Sequence, residues 1–234
     1  MEETKKISFH QILWYFIIFS VVGLLIETLF CYFTSGIIES RKGLLWGPFC
    51  PVYGVGAAIL IIMLNNVDTK NYFKLFVYGF LIGSILEYLM SYVLEALYSI
   101  RFWDYTYTGN SINGRICILY SLFWGVLSIF LMKIAKPNID KLINKIPKSI
   151  EKKLDIFVTI FFVLNVIVTI WAIYTYENRA SNIYYGIYNS LPQEKSIMQE
   201  IEDKHFTNER MQKTFPNLRI KTENGEEIWI RTIF

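Results

Sequence analysis

ILWYFIIFSVVGLLIETLFCYF, residues 12–33, is a run of 22 residues with a single charge, Glu27. About 30 Å of hydrocarbon needs about 20 apolar residues in helical form, so this stretch is long enough to cross a bilayer. Lys5 and Lys6 precede it as they would precede a signal peptide. It is too long for one and lacks a small-residue cleavage site, so it reads as a retained helix. Working outward, comparable runs occur at 46–64, 76–94, 117–134 and 156–176, each bounded by charged or polar residues. The expectation is an all-α membrane protein with five transmembrane helices in residues 1–176 and a polar tail at 177–234. Composition agrees, because 53% of the 234 residues are hydrophobic, mean hydropathy is +0.35, and the apolar residues are gathered into runs.

Charge placement sets the expected orientation. Lys5 and Lys6 precede the first run, and Lys70 and Lys74 lie between the second and third. Lys133, Lys136, Lys141, Lys145, Lys148, Lys152 and Lys153 mark the connection from the fourth to the fifth. The alternate connections hold only Arg41 and Lys42, then Arg101 and Arg115. Positive residues stay in the cytoplasm, so the amino terminus is expected inside and, after five crossings, the tail outside. Residues 136–153 interleave lysines with Ile139, Leu142, Ile143 and Ile146. They suit an amphipathic helix on an anionic leaflet, or equally a solvated linker broken by Pro137 and Pro147. The tail carries eight basic and nine acidic residues, too few apolar ones for a large core of its own, and is expected to dock on the helices.

Several chemistries are not signalled. The net charge of +3 forms no basic stripe interleaved with aromatics, so no nucleic-acid surface is expected. Cys31, Cys50 and Cys117 follow no paired metal spacing and no disulfide framework, although a single bridge stays open. His10 precedes the first run and His205 lies in the tail, so neither is expected as a catalytic base, and no metal or cofactor is expected.

The informative pattern is a doubled one. Gly23-x-x-x-Glu27 in the first run matches Gly83-x-x-x-Glu87 in the third, and an arginine follows each glutamate by 14 residues, at Arg41 and Arg101. Gly47-x-x-Cys50-x-x-Tyr53 then opens the second run as Gly114-x-x-Cys117-x-x-Tyr120 opens the fourth. Only the interval from arginine to glycine differs, 6 residues against 13. The two hairpins read as parallel tandem repeats, at about 12–64 and 76–134, related by an axis along the membrane normal, with the fifth helix added. Gly79 one turn before Gly83 makes small-x-x-x-small spacing, which permits close helix contact.

A carboxylate in the bilayer costs at least about 2.5 kcal/mol unless it is paired or hydrated. Arg41 and Arg101 are the candidate partners of Glu27 and Glu87, and the four are expected to line an outward-facing cavity with Asp104, Asn113, Cys50, Tyr53, Cys117 and Tyr120. The bland alternative is a pair of ion pairs that lock the hairpins together. Gly47, Pro48, Pro51, Gly54 and Gly56 predict irregular backbone where the second helix begins. Arg101, Trp103, Asp104, Tyr105, Tyr107, Asn110, Asn113 and Arg115 suit a polar head group, or simply an aromatic interfacial belt.

These residues carry a resemblance. Gly23 to Glu27, RKGLLWGPFCPVYG at 41–54, RFWDY at 101–105, NGRIC at 113–117, SLFWG at 121–125 and HFTNERMQKTFPNLR at 205–219 resemble the CmpB-like, type IV group of bacterial ABC-transporter permeases. Leu24 stands where that group often has tryptophan. The resemblance implies a multi-pass subunit of the bacterial cell membrane that works with a separate ATPase on its cytoplasmic side, with the substrate unspecified. No Walker A pattern occurs in the chain. Two other classes stay open: an intramembrane enzyme acting on lipid or cell-envelope intermediates, and a membrane binding or signalling subunit without turnover.

Overall fold

The structure, a computed structural model, describes residues 6–98, 103–187 and 196–234. The first run forms α1 (Phe9–Ser35). Ser8 and Gln11 cap its start reciprocally: each backbone N–H donates to the other's side-chain oxygen, at 3.0 and 3.2 Å. The second run is helical only over α2 (Pro51–Leu64), 14 residues or about 21 Å, which is short of the hydrocarbon thickness. Two prolines decide that start: Pro48 and Pro51 lack the N–H a helix interior needs, and Pro51 takes the first helical position, where none is required.

The irregular backbone before α2 is satisfied from a distant helix, α6 (Lys148–Tyr184). The N–H of Leu45 donates to Thr169 Oγ1 at 2.9 Å and that of Trp46 to Asn165 Oδ1 at 3.2 Å, while Asn165 Nδ2 donates back to the Trp46 carbonyl at 2.8 Å. Asn165 is fully buried, so its amide replaces water that an apolar setting cannot provide. Phe49 packs edge-on to Phe162, with ring centroids 4.7 Å apart.

The next hairpin is α3 (Tyr72–Tyr98) and α4 (Ile118–Phe130). The chain enters α4 through a ribbon of β1 (Ser111–Ile112) and β2 (Ile116–Cys117), turned at Asn113 and Gly114, both with positive φ. That is the Asn-Gly chemistry of a tight hairpin. The helix of α4 runs on through a π turn at Leu131–Ala135 into α5 (Lys136–Ile143). Pro137 has no N–H to give to a preceding carbonyl, and the wider turn absorbs the mismatch, with Lys136 N–H bonding Leu131 O. Residues 136–153 are therefore divided between the end of one long helix and the start of α6, rather than forming a separate surface helix. The tail comprises α7 (Ile197–His205), α8 (Asn208–Thr214) and a ribbon of β3 (Arg219–Lys221) and β4 (Glu227–Trp229).

Among the described residues, four helices are long and apolar enough to cross a membrane: Phe9–Ser35, Tyr72–Ala96, Ile118–Ile143 and Lys148–Tyr184. Large apolar side chains along them are half exposed or more, including Leu25, Phe33, Ile85, Leu89, Phe123 and Phe157. Water would not tolerate so many, whereas lipid is their natural solvent.

The chain divides into two compact units, Met1–Val21 with Pro51–Thr159, and Val22–Cys50 with Ile160–Phe234. In the first, Tyr15, Leu60, Leu64, Leu75, Leu131 and Ile143 form a buried core. Beside it the Tyr15 hydroxyl donates to Asp140, which also pairs with Lys136 at 2.8 Å. In the second unit the tail packs on α6. Trp171 Nε1 donates to Glu202 at 2.7 Å, Trp171 meets Phe206 edge-on, and Phe234 stacks on Tyr176.

Candidate functional site

In the first unit the α3–α4 hairpin packs backbone against side chain. A Cβ on Gly79 would overlap Ser128, one on Gly83 would overlap the Trp124 indole, and one on Gly125 would press on Phe76. The Gly79 and Gly83 spacing thus produces the close contact it predicts. One turn above, Ser84 Oγ and Ser121 Oγ share a hydrogen bond of 2.7 Å.

This close approach brings Trp124 to Glu87. The Glu87 carboxylate is 9% exposed and accepts from Trp124 Nε1 at 3.1 Å and from the Tyr105 hydroxyl at 2.8 Å. Tyr105 stacks on Tyr120 at 4.5 Å, and Cys117 is buried nearby in sequence at the end of β2. Burial first, and the Glu87 charge second, push the Tyr105 hydroxyl above its ordinary range, so it stays protonated as a donor. A carboxylate with two fixed donors is held in one orientation, with lone pairs left to accept more.

Arg115 occupies the same end of the hairpin. It is buried, donates to Ser91 Oγ at 3.0 Å, pairs with Glu95 at 2.5 Å, and lies over the Tyr88 and Tyr92 rings. Trp103 Nε1 donates to the Arg115 carbonyl at 3.0 Å, and Asn113 Nδ2 to the Tyr88 hydroxyl at 3.0 Å. Asp104 is exposed and its carboxylate accepts from the Thr106 N–H at 2.9 Å. Arg101 lies outside the described residues.

Glu27 and Arg41 belong to the second unit. Cys31, one turn beyond Glu27, donates its thiol to Glu27 Oε1 at 3.8 Å, and both Glu27 and the Arg41 guanidinium act on that thiol. Arg41 Nη2 also lies 3.9 Å from Glu39, which in turn pairs with Arg231 of the tail at 3.0 Å. Cys50 is half-buried at the end of the irregular segment, and Tyr53 is half-buried in the first turn of α2. The three cysteines are free thiols.

Three features escaped sequence reasoning. Cys31 beside Glu27 was signalled only by helical spacing of four. The pairing of Arg115 with Glu95, two turns past Glu87, stands outside the doubled pattern, which points to Arg101 instead. His10 lies within α1 rather than before it, is buried, and holds Asp155 at 2.8 Å beside Trp14, whose Nε1 donates to the same carboxylate at 3.1 Å.

Comparison with curated proteins and with solved structures finds no match. A family model does match, over residues 14–170, which takes in α1 to α5, the Glu27 and Glu87 positions, and more than half of α6. By that match the chain belongs to the family described as "Putative ABC-transporter type IV".

Proposed function

We propose that the chain is the membrane-embedded permease subunit of an ATP-driven transporter, with Glu87 as its principal polar site. Family membership supports the class. The observation that carries the site is the buried Glu87, positioned by Tyr105 and Trp124 inside a membrane-spanning hairpin. Ionisable groups at such depth are costly and mark substrate or ion pathways more often than scaffolding.

In this reading the chain crosses five times, with α2 completing its crossing through the irregular segment 43–50, and the two hairpins are copies of one unit. The copies agree in one further respect. Phe16 and Phe76 stand at the same distance before Glu27 and Glu87, and each packs against a glycine of the following helix, Gly54 and Gly125. Glu27, Arg41 and Cys31 form the first copy's polar site, and Glu87, Tyr105, Trp124 and Tyr120 the second's. The lysine-rich side faces the cytoplasm and receives the ATPase, and the tail lies outside.

The test is to purify the tagged full chain from its native membrane in mild detergent and identify what accompanies it. The reading expects a P-loop ATPase in stoichiometric amount. Its absence, with catalytic turnover of a lipid or cell-envelope intermediate by the chain alone, would move the assignment to an intramembrane enzyme.

A further inference from the structure

Apart from Arg41, the Glu87 and Glu27 sites do not involve the cleft that the tail makes with α1. This cleft, 470 Å³ in volume, is bounded by Leu24 and Thr28 of α1, by residues 38–42, and by Gln212, Lys213 and Pro216. It lies wholly in the second unit. Ser40 Oγ donates to the Thr214 carbonyl at 2.7 Å and Arg231 pairs with Glu39 at 3.0 Å, so two adjacent loop residues of the lining are joined to the tail.

Its chemistry is divided. Arg41, Lys42 and Lys213 are the cations of its lining, and the single acid, Glu39, pairs with Arg231 at 3.0 Å and lies 3.9 Å from Arg41. The Arg41 side chain keeps 28% of its surface exposed. Leu24, Ile38 and Pro216 are its apolar lining; Leu24 is buried, and Ile38 is 73% exposed. Leu24 and Thr28 stand 11 and 7 residues before the end of α1, about 16 and 10 Å along its axis, so the cleft meets α1 well inside its apolar run. The α1 surface alongside presents Leu25, Leu29 and Phe33, all more than half exposed, as lipid-facing side chains.

We infer that this cleft binds the phosphate head group of an anionic membrane lipid. Arg41, Lys42 and Lys213 hold the phosphate, and Leu24, Ile38 and Pro216 pack against the glycerol and the roots of the acyl chains. A small soluble anion would use the cations and leave the apolar wall empty. A zwitterionic lipid would bring its own cation against three others. The inference requires only that the chain is membrane-embedded and does not rest on the transport reading. It also gives the tail a role: Lys213 and Pro216 complete a site that α1 and its loop begin.

The full-length protein in zwitterionic detergent is titrated with dioctanoyl phosphatidylglycerol, dioctanoyl phosphatidylcholine and inorganic phosphate, and binding is read by native mass spectrometry and by the melting temperature. Phosphatidylglycerol should remain bound and raise the melting temperature, and the other two should do neither. Lys213→Gln and Lys42→Gln should each weaken phosphatidylglycerol binding about fivefold, which is ~1 kcal/mol per basic residue at a membrane surface. Lys221→Gln, exposed on β3 outside the cleft, should leave binding unchanged. Because Lys213 and Lys42 are exposed, these variants should fold even if Arg41→Gln does not. Equal binding of the two lipids, competition by inorganic phosphate at equal concentration, or unchanged affinity in both lysine variants would overturn the inference.

Discussion

The Tyr105 hydroxyl donates to the Glu87 carboxylate at 2.8 Å, tying a loop residue to a buried acid of α3. A hydrogen bond to a charged acceptor contributes about 2 kcal/mol. Tyr105→Phe should therefore lower the stability of the purified protein by about that amount. In a double-mutant cycle with Glu87→Gln, melting curves of the four proteins should show coupling above about 0.5 kcal/mol. Additive effects would mean the contact contributes nothing of its own.

The same contact predicts an alkaline dependence. The Tyr105 pKa is raised in the folded protein by burial and then by Glu87, so its contribution to stability is complete below the ordinary tyrosine value of 10.0. As pH rises past that value the unfolded chain ionises first, and stability is lost. Wild type should lose stability more steeply than Tyr105→Phe above about pH 10. Parallel slopes would show that Tyr105 is solvated.

Two glycines in helices should respond in opposite ways. Gly79→Leu should destabilise the protein by about 1–3 kcal/mol, because its side chain must enter space held by Ser128 and the Trp124 backbone. Gly56 faces open space, so Gly56→Ala should stabilise by about 0.5–1 kcal/mol through helix propensity alone. Melting temperatures of the two variants check both signs, and a neutral Gly79→Leu would contradict the close α3–α4 contact.

Much of this hairpin was legible because spacing is local information. The apolar runs that became α1, α3 and α6, and the Gly79-x-x-x-Gly83 face, need only the helical period and the bilayer thickness to be read. What selects partners across long loops was not legible. Nothing near Trp46 announces that Asn165, far along the chain, will bond both its N–H and its carbonyl. Gly47, Pro48 and Pro51 do announce an irregular lead-in before α2, but not the amide that satisfies it. Likewise Glu87 was identifiable as a buried acid, whereas its donors Tyr105 and Trp124 depend on how α4 settles against α3. His10 was misplaced for a smaller reason: the Ser8–Gln11 cap extends α1 to Phe9 and carries the imidazole into contact with Asp155.

Topology is open to a labelling test. Ser196 is unsuitable as a probe because its side chain caps α7 in a reciprocal box with Gln199. Asn224 sits exposed in the β3–β4 turn. Asn224→Cys, in a background with Cys31, Cys50 and Cys117 replaced by alanine, should react with a membrane-impermeant maleimide in intact cells. Labelling only after lysis would place the tail in the cytoplasm and rule out five crossings from an inside amino terminus.

The central claim is that Glu87 works in transport rather than merely bracing α3 against α4. The direct measurement is ATP hydrolysis by the purified assembly of this chain with the ATPase that the proposed function expects, compared between wild type and Glu87→Gln at matched amounts of folded protein. Glutamine keeps the shape, and its Oε1 can accept from Trp124 while its amide donates to the Tyr105 hydroxyl oxygen, but it carries neither charge nor an exchangeable acid proton. The account predicts that the variant assembles, keeps most of its melting temperature, and loses most of its coupled ATP hydrolysis. Unchanged hydrolysis per folded assembly, with only the melting temperature reduced, would contradict it and leave Glu87 as a structural acid.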